Sequence, residues 1–354
     1  MEQQKAKRSG CLPRLVRISL WLILIIGLFL AVGFFYQRQT TAADFEQFPE
    51  PGQRVDVGGF SLHIYCMGEG SPTVIVDAGN GDFSVGWSGV QPEVAKFARI
   101  CTYDRAGYGW SDPSPKPRTA KVMAEELHTL LVNAGVQPPY VLVAHSLGGH
   151  NVRIFADLYP DEVTGMVLVD SGHEDQLERF PPEYSQLTNQ QMSYLSVMAF
   201  MARFGILRTL GNSSQGAAFA PPQVLQLPAE FQPVYMAMMS HPSYFDATLA
   251  EMRSIPEINV QMRATRDLGD LPLIVLTAES TLDPAIMKLM GVPADFDTTK
   301  IQAIWLELQA ELAALSTNSE HIVVEDSHHA IQLDQPQAVI DVIRKVVEMA
   351  GKAK

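Results

Sequence analysis

Ser146 is the residue around which chemistry can be built. It lies in YVLVAHSLGGHN, Tyr140 to Asn151, where an apolar run from Tyr140 to Val143 meets a tight turn at Ala144 to Gly148. A helical pattern follows from Gly149 to Tyr159. A serine at so sharp a strand-to-helix turn is held in a strained backbone conformation that points its hydroxyl outward, and the residues two before and two after it must be small. Ala144 and Gly148 meet that demand. The helix also aims its first amides at the same point, so the N–H of Leu147 can hold an oxyanion. Such a serine is a nucleophile for acyl transfer. Because a small-x-Ser-x-Gly match is common by chance, it needs context: a buried strand before it, an upstream oxyanion donor, and an acid and a histidine downstream in that order.

The elements that would position Ser146 can be read along the chain. Alternation through Val55, Val57, Phe60, Leu62, Ile64 and Cys66, broken at Gly58 and Gly59, predicts a hairpin over Arg54 to Met67. A buried strand, Thr73 to Val76, ends in Asp77, Ala78, Gly79, Asn80 and Gly81, a glycine-flanked turn able to aim the N–H of Asn80 into a cleft. A helix over Trp87 to Phe97 and a strand over Ala98 to Tyr103 follow. Thr119 is the expected N-cap of a helix running to Asn133, with Val122, Met123, Leu127, Leu130 and Leu131 on one face and Gly135 at its end. Beyond Ser146 come a buried strand at Met166 to Val169, an irregular helical stretch between Gly172 and Asp270, and a strand at Leu273 to Thr277. A helix at Lys300 to Leu315 and a strand at His321 to Val324 complete the pattern.

Three runs, AGNG at Ala78, TYDRAGYGWSD at Thr102 and AHSLGG at Ala144, together resemble the α/β-hydrolase superfamily, from about Arg54 to Val347. The resemblance implies an eight-stranded, mostly parallel sheet in the order 1-2-4-3-5-6-7-8, with strand 2 antiparallel, flanked by helices and roofed by a helical cap inserted after strand 6. It also implies a catalytic acid in one of two places. One is the end of the Met166 to Val169 strand, where Asp170 stands. The other lies about four residues past the next core strand; there position 281 is Thr, the nearest aspartate is Asp283, and Glu279 is a third choice. Asp170 is preferred and Asp283 kept as the alternative. SHHAIQLDQP resembles the family's last catalytic motif, and its spacing to Ile331 and Gln332 selects His329. Position 328 is usually glycine in the family, so His328 is a departure. His145 could line the cleft; His150, His173 and His241 read as local or surface residues. Beside the implied strand 4, strand 2 would bring Cys66 near Cys101, as a disulfide or as two buried thiols.

The chain divides into six segments: charge and hydropathy give a basic stretch at 1–17 and a transmembrane helix at 18–36, with a linker at 37–53 behind it, and the resemblance implies core at 54–172, cap at 173–270 and core again at 271–350. The hydrophobic content of 47% is that of a globular protein. Ile18 to Tyr36 carries no charge and at helical rise spans about 28 Å, the thickness of a bilayer's hydrocarbon. Lys5, Lys7, Arg8, Arg14 and Arg17 precede it, which places the N-terminus in the cytoplasm and the rest outside. The alternative is a signal peptide cleaved from a secreted protein. The net charge is −13, and within the first 38 positions Lys5, Lys7, Arg8, Arg14, Arg17 and Arg38 stand against Glu2 alone. The remainder is therefore strongly acidic, which excludes nucleic acid as a partner.

No cofactor and no metal is expected. Adjacent loop histidines rarely face one ion, and no ligand cluster surrounds them. Ser146, His329 and Asp170 would then form a triad, with Leu147 and Asn80 as oxyanion hole. The expected activity is a carboxylesterase or lipase-like hydrolase acting on a small apolar ester, since Met192, Met198, Met201, Met236, Met238, Met239 and Phe231 enrich the cap in adaptable apolar side chains. Aminopeptidase or perhydrolase chemistry on the same triad, or a silent binding module, are the alternatives. Oligomeric state is not legible.

Overall fold

The structure is a computed structural model and describes residues 11–211, 221–265, 267–289, 292 and 296–352. Eight strands form one sheet: β1 (Gln53–Asp56), β2 (Ser61–Met67), β3 (Thr73–Asp77), β4 (Ile100–Tyr103), β5 (Tyr140–His145), β6 (Val163–Val169), β7 (Leu273–Ala278) and β8 (Ser319–Val324). Their order is β1-β2-β4-β3-β5-β6-β7-β8. β2 runs antiparallel to both neighbours, and the strands from β4 to β8 pair in parallel. The expected topology is the observed one.

The helices, in chain order, begin with α1 (Cys11–Gln47), α2 (Gln91–Val94), α3 (Ala120–Asn133) and α4 (Gly148–Leu158). Between β6 and β7 lie α5 (Gln176–Arg179), α6 (Pro182–Arg203), α7 (Ile206–Gly211), α8 (Pro222–Gln226), α9 (Gln232–Met239) and α10 (Pro242–Met262). The chain closes with α11 (Pro284–Leu289), α12 (Thr299–Ala313), α13 (Ile331–Asp334) and α14 (Pro336–Lys352).

Burial on both faces of the sheet explains why the central strands read as unbroken apolar runs. Val141 and Val143 of β5 pack with Val74, Val76 and Val167 against Val339, Ile343 and Val346 of α14. Leu142 and Ala144 point the other way, onto Met123, Leu127 and Leu130 of α3 and Val152 and Phe155 of α4. Each fully buried side chain of this size contributes about 1.5–3 kcal/mol. Thr119 caps α3 as expected, its side chain accepting from the Val122 N–H.

Cys66 and Cys101 are directly opposed in the β2–β4 register, with Cα atoms 4.0 Å apart, and are joined as a disulfide. Of the two expected possibilities, the covalent one is present.

One expectation needs correcting. The helix expected over Trp87 to Phe97 is only a 3₁₀ turn at Ser84–Trp87 and the short α2, because Gly89 and Pro92 interrupt the helical run. Within the segment 37–53 the chain stays helical as far as Gln47. It is held there by distant partners: the Gln37 amide donates to the Ser240 carbonyl at 3.1 Å, and Asp44 accepts from Arg208 at 2.6 Å and from His241 at 3.0 Å. By length and composition α1 is long and apolar enough to cross a membrane.

Candidate active site

β5 delivers Ser146 at the carboxyl edge of the sheet, in the turn before α4. Its φ of 52° lies in the left-handed region, the strain expected of this turn. The turn is pinned by the Ser146 N–H donating to the Val169 carbonyl and by the Gly149 and Gly172 N–H groups donating to the Ser146 carbonyl. Gly148 must be glycine, because a Cβ there would stand 2.4 Å from the Asp77 carbonyl oxygen.

The loop after β8 brings His329 to Ser146, its Nε2 lying 2.9 Å from Oγ. On the other side of the ring, Nδ1 donates to Asp170 Oδ2 at 2.6 Å. Asp170 follows β6, is fully buried, and adopts a φ of 40°. Its carboxylate is saturated with donors: Oδ1 accepts from the Ala278 N–H at 2.9 Å and Trp305 Nε1 at 2.7 Å, and Oδ2 accepts from Thr281 Oγ1 at 3.1 Å. A carboxylate so surrounded is fixed in place.

The carboxylate on His329 Nδ1 is thus that of Asp170. The alternative acid, Asp283, lines the cavity beside Ser146 instead, and Glu279 accepts from the Asp326 N–H at 2.9 Å. Both places where an acid could stand converge on one point in space. Here the second supplies a hydroxyl, Thr281, which donates to the carboxylate from the first.

The two oxyanion candidates flank Ser146. Among the described residues no acceptor takes the N–H of Leu147 or of Asn80. Gly79 lets its loop approach: a Cβ there would meet His145 Nδ1 at 2.6 Å and Ser146 Cβ at 3.2 Å. Buried Arg105 holds the loop, donating to the Gly79 carbonyl at 2.8 Å and also to the Ala78 carbonyl. It is paired with Asp77 at 2.7 Å and with Glu251 at 2.7 Å. Glu251, on α10, also accepts from the Asn80 side chain at 2.9 Å. Burial opposes the Glu251 charge, but Arg105 beside it prevails and holds the carboxyl below its usual range.

His145 does line the cleft, but as a support. Its Nε2 donates to the His329 carbonyl at 2.8 Å, and its Nδ1 faces the Gln332 amide at 3.4 Å. Burial, aided by the charge of neighbouring His329, pushes His145 down to about 3. The unfolded chain takes up this proton below about 6.5, whereas the folded protein refuses it until about 3. The contribution is therefore whole above the first value and lost as pH falls toward the second, by up to about 1.4 kcal/mol per pH unit. Urea unfolding midpoints are expected to fall with acidification through this window, and less steeply in His145→Gln; identical slopes would remove His145 from the account.

His328 lines the cavity beside Ser146 and is tied to Asp334. Its N–H donates to Asp334 Oδ2 at 2.7 Å and its Nδ1 lies 3.3 Å from the same atom. His150, His173 and His241 are not surface residues but buried ones. His150 fills space below Gly172, where a Cβ would meet its ring at 2.4 Å, and His241 bonds Asp44. The methionine set divides as well. Met239 lines the cavity, whereas Met192 and Met198 pack on Phe245 and Leu249, and Met238 and Phe231 lie in a cluster with Phe83 and Trp110. The cavity beside Ser146 has a volume of about 230 Å³, with Val224, Leu227, Tyr235, Met239 and Leu333 among its walls.

Trp305, Thr281, Arg105 and Glu251 carry roles that local reading missed. Arg105 was legible only as part of a recognised run.

A family model described as alpha/beta hydrolase fold matches residues 72–237. An AB hydrolase superfamily protein of Gibberella zeae is 24% identical over 297 residues, covering 78% of this chain and 87% of that protein. The probable transporter efuK of Hormonema carpetanum is 34% identical over 135 residues, covering 36% of this chain and 19% of that protein. The chain spans between 19% and 46% of the length of four curated relatives it matches. Among solved structures, a thermophilic esterase from Thermogutta terrifontis with malate bound superposes with a TM-score of 0.57 at 21% identity, over 84% of this chain and 99% of that one. At that identity the likeness speaks for the fold.

Proposed function

Since this chain belongs to the α/β-hydrolase superfamily, we propose that it is a serine hydrolase cleaving a carboxylic ester with a small acyl group through an acyl-enzyme. The observation that carries this reading is the continuous hydrogen-bonded path from Ser146 Oγ through His329 to Asp170. Ser146 Oγ attacks the acyl carbonyl carbon while His329 Nε2 takes its proton, and the N–H groups of Leu147 and Asn80 hold the oxygen as it becomes negative. His329 then protonates the departing alcohol, and water, deprotonated by the same nitrogen, releases the acid. Asp170 keeps the Nδ1–H tautomer that leaves Nε2 free to accept.

The nucleophile narrows the electrophile. A carboxylate that opens an epoxide or displaces a halide leaves an ester, which water can cleave. A serine doing the same would leave an inert ether. An acyl carbonyl is the electrophile from which a serine turns over. The cavity of about 230 Å³ and its apolar walls suit a short acyl chain.

We also read α1 as a single-pass anchor, with residues 1–17 cytoplasmic and the hydrolase outside. The length and composition of α1 support this, as does the disulfide, which belongs to an oxidising compartment.

The test is fluorophosphonate labelling of the full chain, with the modified residue located by mass spectrometry. Labelling at Ser146, lost in His329→Ala, is expected. A folded protein that takes no label would favour a silent binding module.

A further inference from the structure

The C-terminal half of α6 is apolar on two faces. On one, Leu195, Met198, Ala199 and Ala202 pack with Phe245 and Leu249 of α10. On the other, Tyr194, Val197 and Phe200 stand 51%, 54% and 49% exposed. Phe204, just past the helix end, continues that stripe, the spacings being those of one helix face. A helix apolar all round is ordinarily buried in protein or in lipid, and contiguous exposed apolar side chains mark an interaction surface.

The neighbour says which surface. α1 lies against this corner so closely that a Cβ at Gly33 would stand 2.3 Å from the Phe204 carbonyl oxygen, and one at Gly205 would stand 2.8 Å from the Tyr36 ring. Gly33 belongs to the uncharged run Ile18 to Tyr36, about 4.5 Å inside its last residue at helical rise. The turn between α6 and α7 is therefore level with the last turn of the span. The nearby cations do not compete for this role: Arg203 is paired with Asp246 at 2.8 Å and Arg208 with Asp44 at 2.6 Å.

Resting on the reading of α1 as an anchor, we propose that the corner formed by α6 and the turn to α7 is a membrane-seating surface. Tyr194, Val197, Phe200 and Phe204 enter the boundary between headgroups and acyl chains in the leaflet where α1 ends. Aromatic and aliphatic side chains hold interfacial helices in the same way. With both arginines already neutralised, seating depends on apolar burial and not on anionic lipid.

The test uses the full chain in a Cys11→Ser background, reconstituted into vesicles of phosphatidylcholine brominated on its acyl chains. A fluorophore is attached through Val197→Cys or Phe200→Cys, with Ile25→Cys in the span and Lys121→Cys on α3 as references. Emission is expected to be lost to bromine contact at 197 and 200 as it is at 25, and retained at 121. Loss at 25 with full emission at 197 and 200 would overturn the seating surface and leave the anchor standing. Full emission at 25 as well would overturn the anchor, and the seating surface with it.

Discussion

Ser146→Ala is expected to lower turnover of a short-chain p-nitrophenyl ester by about 10⁴- to 10⁶-fold, the loss typical when the nucleophile of a triad is removed. The fold should survive. The strain at this position resides in the backbone, φ 52°, and alanine bears it much as serine does; the packing demands fall on Gly148 and Gly79. The exchange removes one hydrogen bond, worth about 0.5–1.5 kcal/mol. A thermal melt alongside the rate separates the two effects. A variant that still turns over at an appreciable rate would refute the acyl-enzyme route.

Asp170→Asn is expected to cost about 10⁴-fold in kcat, because an amide in place of the carboxylate no longer selects the Nδ1–H tautomer of His329. Asp283→Asn should lose far less. Asp283 lines the cavity beside Ser146, where the change touches substrate fit and so KM first. The ratio of the two kcat values is the readout. Two variants of equal rate would sink the assignment of the acid. Trp305 and Thr281 are part of the same expectation, since both donate to the Asp170 carboxylate.

That choice of acid shows where sequence reasoning stops. The elbow around Ser146 was legible because its demands are local: small residues at fixed offsets and a strand running into a helix. The strand order was what the resemblance carried by three motifs implies. The acid was left between Asp170 and Asp283 because the requirement is a point in space beside His329, reachable from the ends of two adjacent strands, and strand ends read from sequence are uncertain by a residue or two. The continuation of α1 to Gln47 was hidden for a related reason. Its partners, Ser240, Arg208 and His241, stand far along the chain, and nothing near Gln37 or Asp44 announces them. The cap methionines are a different case. Apolar residues at helical spacing look the same whether they face a substrate or one another, and most face one another.

The pairing of Arg105 with Glu251 bears on how such a protein can diversify. Caps are often regarded as exchangeable roofs over a constant core, free to vary as substrates change. Here the roof supplies the counter-charge for a cation buried in the core, and that cation grips the carbonyls of the loop carrying Asn80. A foreign cap without a carboxylate at the place of Glu251 would leave Arg105 with one carboxylate, that of Asp77, at a cost of about 3–5 kcal/mol, a large share of a typical domain's stability. Grafts between relatives would therefore succeed in pairs, cap and Arg105 position together. Lineages that have changed one should carry the mark of having changed the other.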